Sequence, residues 1–323
     1  MAYVIFFAAA VGVVMGGALL ARAADELAES LRLQRVWIGS VLVAGATSMP
    51  ELVVDVSAIR VGAPDLAVGD LFGSSMANML ILGILGLAYG HQRLLRSIVP
   101  EHALTGTLAI SLTMLAVLFI LAGPNTAVGP LGIGPVVIAF VYLATIRLVR
   151  HASAIPDGSA ASTSRGPWVP AAGRFALAAM IILLAGPFLA LSADDIVQSS
   201  GVDGTLFGAG ALAIVTSLPE LAASFAAVRL GASDIAVGNL FGSNAYNMLL
   251  LLPLDLASGG ALLGGVSEAN AVAAIAATLM MSAALASIVM REERRIAVLV
   301  PDSLLLVGIY FVGLSWVWAA GSG

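Results

Sequence analysis

Thr47-Ser48-Met49-Pro50-Glu51 sets a proline and a carboxylate inside an otherwise apolar run, and it recurs 169 positions later as Thr216-Ser217-Leu218-Pro219-Glu220. From there the register holds without a gap. Asp65, Gly69, Gly73, Ser74 and Asn78 fall on Asp234, Gly238, Gly242, Ser243 and Asn247. Nineteen of the thirty-three positions from Thr47 to Met79 are identical in the second copy, so the chain is built on an internal duplication.

The composition says where such a chain lives. Of its 323 residues 60% are hydrophobic and 10% charged, with a mean hydropathy of +1.05, which excludes an ordinary soluble domain and reads as an integral membrane protein. There is no cysteine, so disulfides and thiolate metal sites are excluded. The net charge of -5 says little about partners, because several acids lie in apolar runs. The first span, near 2–22, lacks a charged leader and an A-x-A cleavage site, and reads as a retained helix rather than a signal peptide.

A spanning helix needs about 20 apolar residues. Ten stretches qualify, near 2–22, 36–59, 66–90, 102–122, 131–149, 171–192, 204–228, 235–257, 268–290 and 297–318. All the basic residues apart from histidine are arginine. Thirteen of them fall on loops of one side, and Arg60 stands alone on the other. That asymmetry predicts a multi-pass protein of the cell membrane with both termini extracellular or periplasmic. The one long polar stretch, 151–170, is rich in Ser, Gly and Pro and reads as a flexible cytoplasmic linker. It separates residues 1–150, whose repeat covers about 40–85, from residues 171–323, whose repeat covers about 209–254. Five spans is an odd number, so the second copy enters the membrane from the opposite side. The expected fold is an all-α integral membrane protein: ten transmembrane helices as two inverted five-helix repeats with broken helices at the midplane.

Pro50 has no N–H for the carbonyl of Ala46, and Pro219 none for that of Val215, so each is expected to interrupt its helix. In lipid a freed carbonyl needs a partner, and a bound cation is one. Helical spacing puts Thr47, Ser48 and Glu51 along one face, with Thr216, Ser217 and Glu220 likewise, while Ser74 shares a face with Asn78 and Ser243 with Asn247. Gly69/Gly73 and Gly238/Gly242 are small-residue ridges for close helix approach. Two inverted copies would converge carboxylates, hydroxyls, amides and carbonyls on one centre, an all-oxygen set suited to hard cations such as Ca²⁺ and Na⁺. His91, His102 and His151 lie near span ends, away from any zinc or copper site.

These residues resemble the two alpha-repeats of the cation/calcium exchangers, which include the sodium/calcium exchangers: a G-T-S-x-P-E segment followed by D-[IL]-A-[VI]-G-N-x-x-G-S-N and a further polar residue. The resemblance covers both repeats closely and the ten-span arrangement in general. It implies that Glu51 and Glu220 are bidentate Ca²⁺ ligands assisted by backbone oxygens of Thr47 and Thr216. It implies Na⁺ ligation by Ser48, Ser74, Ser217, Ser243 and the carbonyls of Ala44 and Ala213, and a central pair in Asn78 and Asn247. It further implies that the first and sixth spans slide together to alternate access. Ca²⁺ and Na⁺ would then be transported substrates, with no cofactor, no nucleic acid and no protein partner beyond the lipid bilayer.

The sequence departs from that pattern in places. Ala46 and Val215 replace the glycine before Thr-Ser; Asp70 and Ser75 stand where the second copy has Asn239 and Asn244. Members that co-transport potassium carry Asp at one central position, whereas both are Asn here. Asp55, one turn beyond Glu51, has Ser224 as its counterpart. Two carboxylates at that spacing suggest that one can carry a proton, which makes Asp55 and Asp70 candidate proton or selectivity modulators. The plainer alternative has Asp55 reaching an outer, water-filled vestibule and attracting cations there.

The leading expectation is an antiporter exchanging Na⁺ for Ca²⁺. The alternatives are proton-coupled exchange of Ca²⁺ or another divalent ion, more remotely a cation channel, and an intramembrane aspartyl protease suggested by Gly69-Asp70. The last lacks the first glycine of its motif and a partner aspartate. No phosphate-binding loop or catalytic triad spacing is visible, so enzymatic turnover is not expected. Asp65 and Asp234 are expected to cap their own helices, Asp194, Asp195, Asp255 and Glu268 to be solvated, and Trp316 and Trp318 to anchor at the interface.

Overall fold

The computed structural model describes residues 2–31, 33–89, 102–122, 127–152, 168–200, 213–290 and 301–321. It is almost wholly helical. In chain order the elements are α1 (Ala2–Leu31), α2 (Arg35–Thr47), α3 (Met49–Arg60), α4 (Pro64–Tyr89), α5 (His102–Ala122), a two-stranded turn (Ala127–Val128 with Leu131–Gly132), α6 (Ile133–Ala152), α7 (Trp168–Ser200), α8 (Ala213–Thr216), α9 (Leu218–Arg229), α10 (Ser233–Ser258), α11 (Leu262–Gly265), α12 (Glu268–Met290) and α13 (Pro301–Gly321).

Seven of these helices, α1, α4, α5, α7, α10, α12 and α13, are long and apolar enough to cross a membrane. The pair α2–α3, bent by 40°, meets the same criterion when taken together and brings the candidates among the described residues to eight. The apolar part of α6, Ile133–Arg147, is shorter than a full span, and the stretch expected near 204–228 is described only from residue 213. Most of the linker expected at 151–170 lies outside the described residues, although its last three positions already belong to α7. Large apolar side chains such as Val4, Phe7, Phe140, Leu184 and Phe311 point outward, as they must in a solvent of acyl chains.

The duplicated motif folds the same way twice. α2 stops at Ser48 and α3 restarts with Pro50 in its first turn, where a missing N–H costs nothing; Ser217 and Pro219 repeat the arrangement between α8 and α9. Both short helices then end in the same turn. Gly62 at φ 83° and Gly231 at φ 79° take the left-handed conformation. The following N–H groups, Ala63 and Ala232, reach back 2.9 Å to the carbonyls of Ala58 and Ala227, which closes a Schellman cap.

Two apolar cores flank the motif. One, centred on the duplicated pair Phe72 and Phe241, joins α4, α5, α10, α12 and α13; the other joins α1, α7, α9 and the π-helical stretch Ile38–Val43 within α2. Close approach is specified at the glycines of α10. A Cβ on Gly242 would sit 2.4 Å from the carbonyl oxygen of Ser40, and one on Gly238 would sit 3.0 Å from that of Val36. α1 lies along α7, and at one end Glu26 pairs with Arg174 of α7 while Asp25 pairs with Arg35 at the start of α2.

Asp65 and Asp234 stand in the first turns of α4 and α10, where a negative charge complements the helix dipole as expected, and each also reaches further, while Asp255 departs from expectation. Asp65 caps a neighbouring helix: its Oδ1 accepts from the Ser267 N–H at 2.6 Å and the Asn270 amide at 2.9 Å, at the start of α12. Asp234 meets His102 Nε2 at 3.1 Å. Asp255 is fully buried rather than solvated and accepts from the Leu262 N–H at 2.7 Å and the Gly132 N–H, pinning the α11 turn and the foot of α6. Trp316 and Trp318 are exposed on the last helix, in keeping with an interfacial role.

Candidate functional site

The break in each short helix turns its polar face inward, toward the other half of the chain. Glu51 and Glu220 are both 0% exposed, close enough to repel one another. Ser48, from the first half, donates to Glu220 Oε1 at 3.3 Å, and Ser243 donates to the same oxygen at 3.4 Å. Ser74 and Ser48 lie beside Glu51. The Asn247 amide, oriented to satisfy its neighbours, donates to Glu51 Oε2 at 3.1 Å and to the Ser243 carbonyl at 3.1 Å.

The remaining contacts are reciprocal between the halves. Thr47 Oγ1 donates to Asn239 Oδ1 at 3.2 Å, and its counterpart Thr216 donates to Asp70 Oδ1 at 3.3 Å. Thr216 also meets Ser74 Oγ at 3.3 Å. Asn78 is not paired with Asn247 directly; its Nδ2 donates to Asn244 Oδ1 at 2.9 Å, and Asn244 donates to the Ser75 carbonyl at 3.2 Å. The carbonyls of Ala44 and Ala213 accept the Ser48 and Ser217 N–H groups at 3.0 and 3.1 Å, and the Thr47 and Thr216 hydroxyls each add a bond of 3.2 Å. A cation drawing on these carbonyls would compete with the threonine hydroxyls.

The structure thus brings the sequence-derived residues to one buried centre, and it adds Asn239 and Asn244. Their repeat register, against Asp70 and Ser75, was the available signal. Several oxygens there have no donor among the described residues: Glu51 Oε1, Glu220 Oε2, Asn78 Oδ1 and Ser217 Oγ. Buried polar atoms are nearly always paired, and a lone buried carboxylate oxygen is costly. Oxygens left over in this way, on two carboxylates, an amide and a hydroxyl, match what a hard cation uses. Among the described residues no three acidic, histidine or cysteine side chains form a metal cluster; a cation held here would draw on hydroxyls, amides and carbonyls around two glutamates.

Asp55 is 1% exposed and reaches no vestibule. It is hydrogen-bonded to Asp70, carboxyl to carboxyl, within reach of Glu51.

Comparison with known proteins gives the family and the fold. A sequence model of the sodium/calcium exchanger protein family matches residues 1–149 and 170–319. The putative antiporter CaxA of Alkalimonas amylolytica is 31% identical over 277 residues, covering 83% of this chain and 82% of that one. The inner membrane protein YrbG of Escherichia coli is 32% identical over 243 residues, 72% of each chain. Among solved structures, the sodium-calcium exchanger NCX_Mj soaked with 10 mM Na⁺ and zero Ca²⁺ superposes with a TM-score of 0.75 at 17% identity, covering 97% of this chain and 98% of that one, a likeness of fold.

Proposed function

Because this chain belongs to the sodium/calcium exchanger protein family, we propose that it is a secondary antiporter exchanging Na⁺ for Ca²⁺ at the centre between Glu51 and Glu220. The observation that carries this reading is the pair of fully buried glutamates, one from each half, with orphaned oxygens turned toward shared hydroxyls and amides. Their combined charge is neutralised by one Ca²⁺ or by a small number of Na⁺. Occupancy by one ion excludes the other, and that exclusion is the physical basis of exchange.

In this reading Glu51 and Glu220 hold Ca²⁺ with the backbone oxygens of Thr47 and Thr216. Ser48, Ser74, Ser217 and Ser243, with the Ala44 and Ala213 carbonyls, hold Na⁺, and Asn78 and Asn247 line the middle. The chain carries ten spans in two inverted halves, and α1 and α7 slide together to open the centre to either side. The arginine asymmetry supports both termini outside the cell and residues 151–170 in the cytoplasm. The paired helix breaks favour alternating access over a permanent pore.

The test is ⁴⁵Ca²⁺ uptake into proteoliposomes loaded with Na⁺, against K⁺ or choline, at two pH values, with Glu51→Gln alongside. Uptake that requires an outward Na⁺ gradient and falls to background in the variant supports the proposal. Uptake driven by a pH gradient and indifferent to Na⁺ replaces the coupling ion with H⁺; no uptake under any gradient refutes Ca²⁺ as the substrate.

A further inference from the structure

A carbonyl oxygen has two lone pairs, and at Ala44 and Ala213 both are taken. Ala44 accepts the Ser48 N–H at 3.0 Å and the Thr47 hydroxyl at 3.2 Å; Ala213 accepts the Ser217 N–H at 3.1 Å and the Thr216 hydroxyl at 3.2 Å. The N–H cannot leave without unwinding the turn, so a cation that uses either oxygen has to displace the hydroxyl. Both threonines are buried, and a hydroxyl turned off its carbonyl there loses a hydrogen bond unless a second acceptor is within reach. Each threonine has one on the opposite half of the chain. Thr47 Oγ1 lies 3.2 Å from Asn239 Oδ1, and Thr216 Oγ1 lies 3.3 Å from Asp70 Oδ1. Asn239 and Asp70 hold the same position in the two repeats. The Asn239 amide is oriented for this contact, because its Nδ2 donates to Ser224 Oγ at 3.0 Å and leaves Oδ1 facing the threonine. Thr47 also has the Val43 carbonyl at 3.1 Å on its own helix, and Thr216 has Ser74 Oγ at 3.3 Å. Each hydroxyl therefore stands between its own helix and the facing one, with a single proton to give.

We propose that Asn239 and Asp70 are positioning residues for Na⁺: each gives the threonine hydroxyl of the opposite half a second acceptor, so that the hydroxyl turns off the Ala44 or Ala213 carbonyl and leaves a lone pair to the ion. The inference rests on the exchange reading, which puts Na⁺ on these two carbonyls. The release is crossed, since a carbonyl of one half is freed by a side chain of the other. Na⁺ at Ala44 moves the Thr47 bond from its own helix to α10 and ties α2 to α10. Ca²⁺, which in the exchange reading uses the glutamates and the threonine backbone oxygens, calls for no such turn. Asn239 and Asp70 thereby act on one of the two competing ions.

The experiment is equilibrium ⁴⁵Ca²⁺ binding to the purified full-length protein in nanodiscs, followed by displacement with Na⁺, for wild type, Asn239→Ala, Thr47→Val and Asn239→Ala/Thr47→Val. The Ca²⁺ affinity of each protein without Na⁺ is the reference for its own displacement curve. Asn239→Ala leaves the Thr47 proton on the Ala44 carbonyl and should raise the half-displacing Na⁺ concentration by about three- to tenfold, the equivalent of one neutral hydrogen bond. Adding Thr47→Val removes the competing donor and should return that concentration to the wild-type value or below it. Loss of a merely structural asparagine would not be repaired by deleting a second hydroxyl. Unchanged displacement in Asn239→Ala overturns the proposal, as does a rise that Thr47→Val fails to reverse. Should Asn239→Ala not fold, Thr47→Val alone decides: Na⁺ that displaces at least as well as in wild type supports the proposal, and weaker displacement overturns it. Wild-type Ca²⁺ that no Na⁺ displaces refutes the exchange reading itself and this inference with it.

Discussion

Gly242→Ala is the smallest change that tests how the two halves are held together. Its Cβ would lie 2.4 Å from the Ser40 carbonyl oxygen and 2.5 Å from Ser40 Cα. Both atoms are backbone, so no side chain can swing aside. Non-bonded contacts relax near about 3.5 Å, so α10 and the π-helical stretch of α2 must part by roughly 1 Å. Overpacking of this kind costs about 1–3 kcal/mol. The functional cost is larger, because Ser243 is the next residue and its bond to Glu220, like that of Ser48, is already at 3.3–3.4 Å. A displacement of about 1 Å costs a pre-organised site on the order of a hundredfold. Gly308→Ala is the control, since a Cβ there meets nothing within 4 Å. Thermal melting in detergent and ⁴⁵Ca²⁺ uptake, measured side by side, should show Gly242→Ala less stable and nearly inactive and Gly308→Ala unchanged. A Gly242→Ala protein that melts and transports like wild type would refute the packing argument.

Asp255→Ala should lower stability by about 1–3 kcal/mol for each N–H it orphans, at Leu262 and Gly132, with the ion selectivity of the remaining folded protein unchanged in a competition assay. Asn244→Ala removes the acceptor of Asn78 and should destabilise by about 1–3 kcal/mol; Asn244→Ser, which copies Ser75 of the first half, should lose less in the same melt. Asp65→Ala releases the start of α12 and should cost about 1 kcal/mol, leaving half-maximal Ca²⁺ in uptake experiments where it was.

Much of the centre was legible because the chain writes it twice. A proline and a glutamate at the same offset in two apolar runs have no use in a lipid-facing helix, and the repeat register alone located the paired threonines, serines and asparagines. What could not be read is which copy of each residue meets which across the interface. Helical spacing places Asn78 and Asn247 on inward faces, but the offset between α4 and α10 decides that Asn78 bonds Asn244 instead. The partners of the acids near helix ends could not be read for the same reason. Asp65 stands in the first turn of its own helix, yet the N–H and amide it accepts from belong to Ser267 and Asn270 at the start of α12, some two hundred residues away in sequence. Asp255 near a loop looks solvated until α6 and α11 fold over it.

The ion pairs that the end of α1 makes with Arg174 and with Arg35 differ mechanically. Glu26 and Arg174 join helices that lie along one another, so the bond travels with them. Asp25, with Glu29 beside it, joins α1 to Arg35 at the start of the broken span, and the proposed slide of α1 would pull those bonds apart. With side chains 24% and 41% exposed, such a pair is worth about 0.2–1 kcal/mol. In the proposed slide it would act as a brake rather than a lock, slowing the conformational step by at most about fivefold. Being partly exposed, it also responds to ionic strength, so with such a slide the exchange rate would depend on the salt bathing that one face of the membrane, separately from the concentrations of the carried ions.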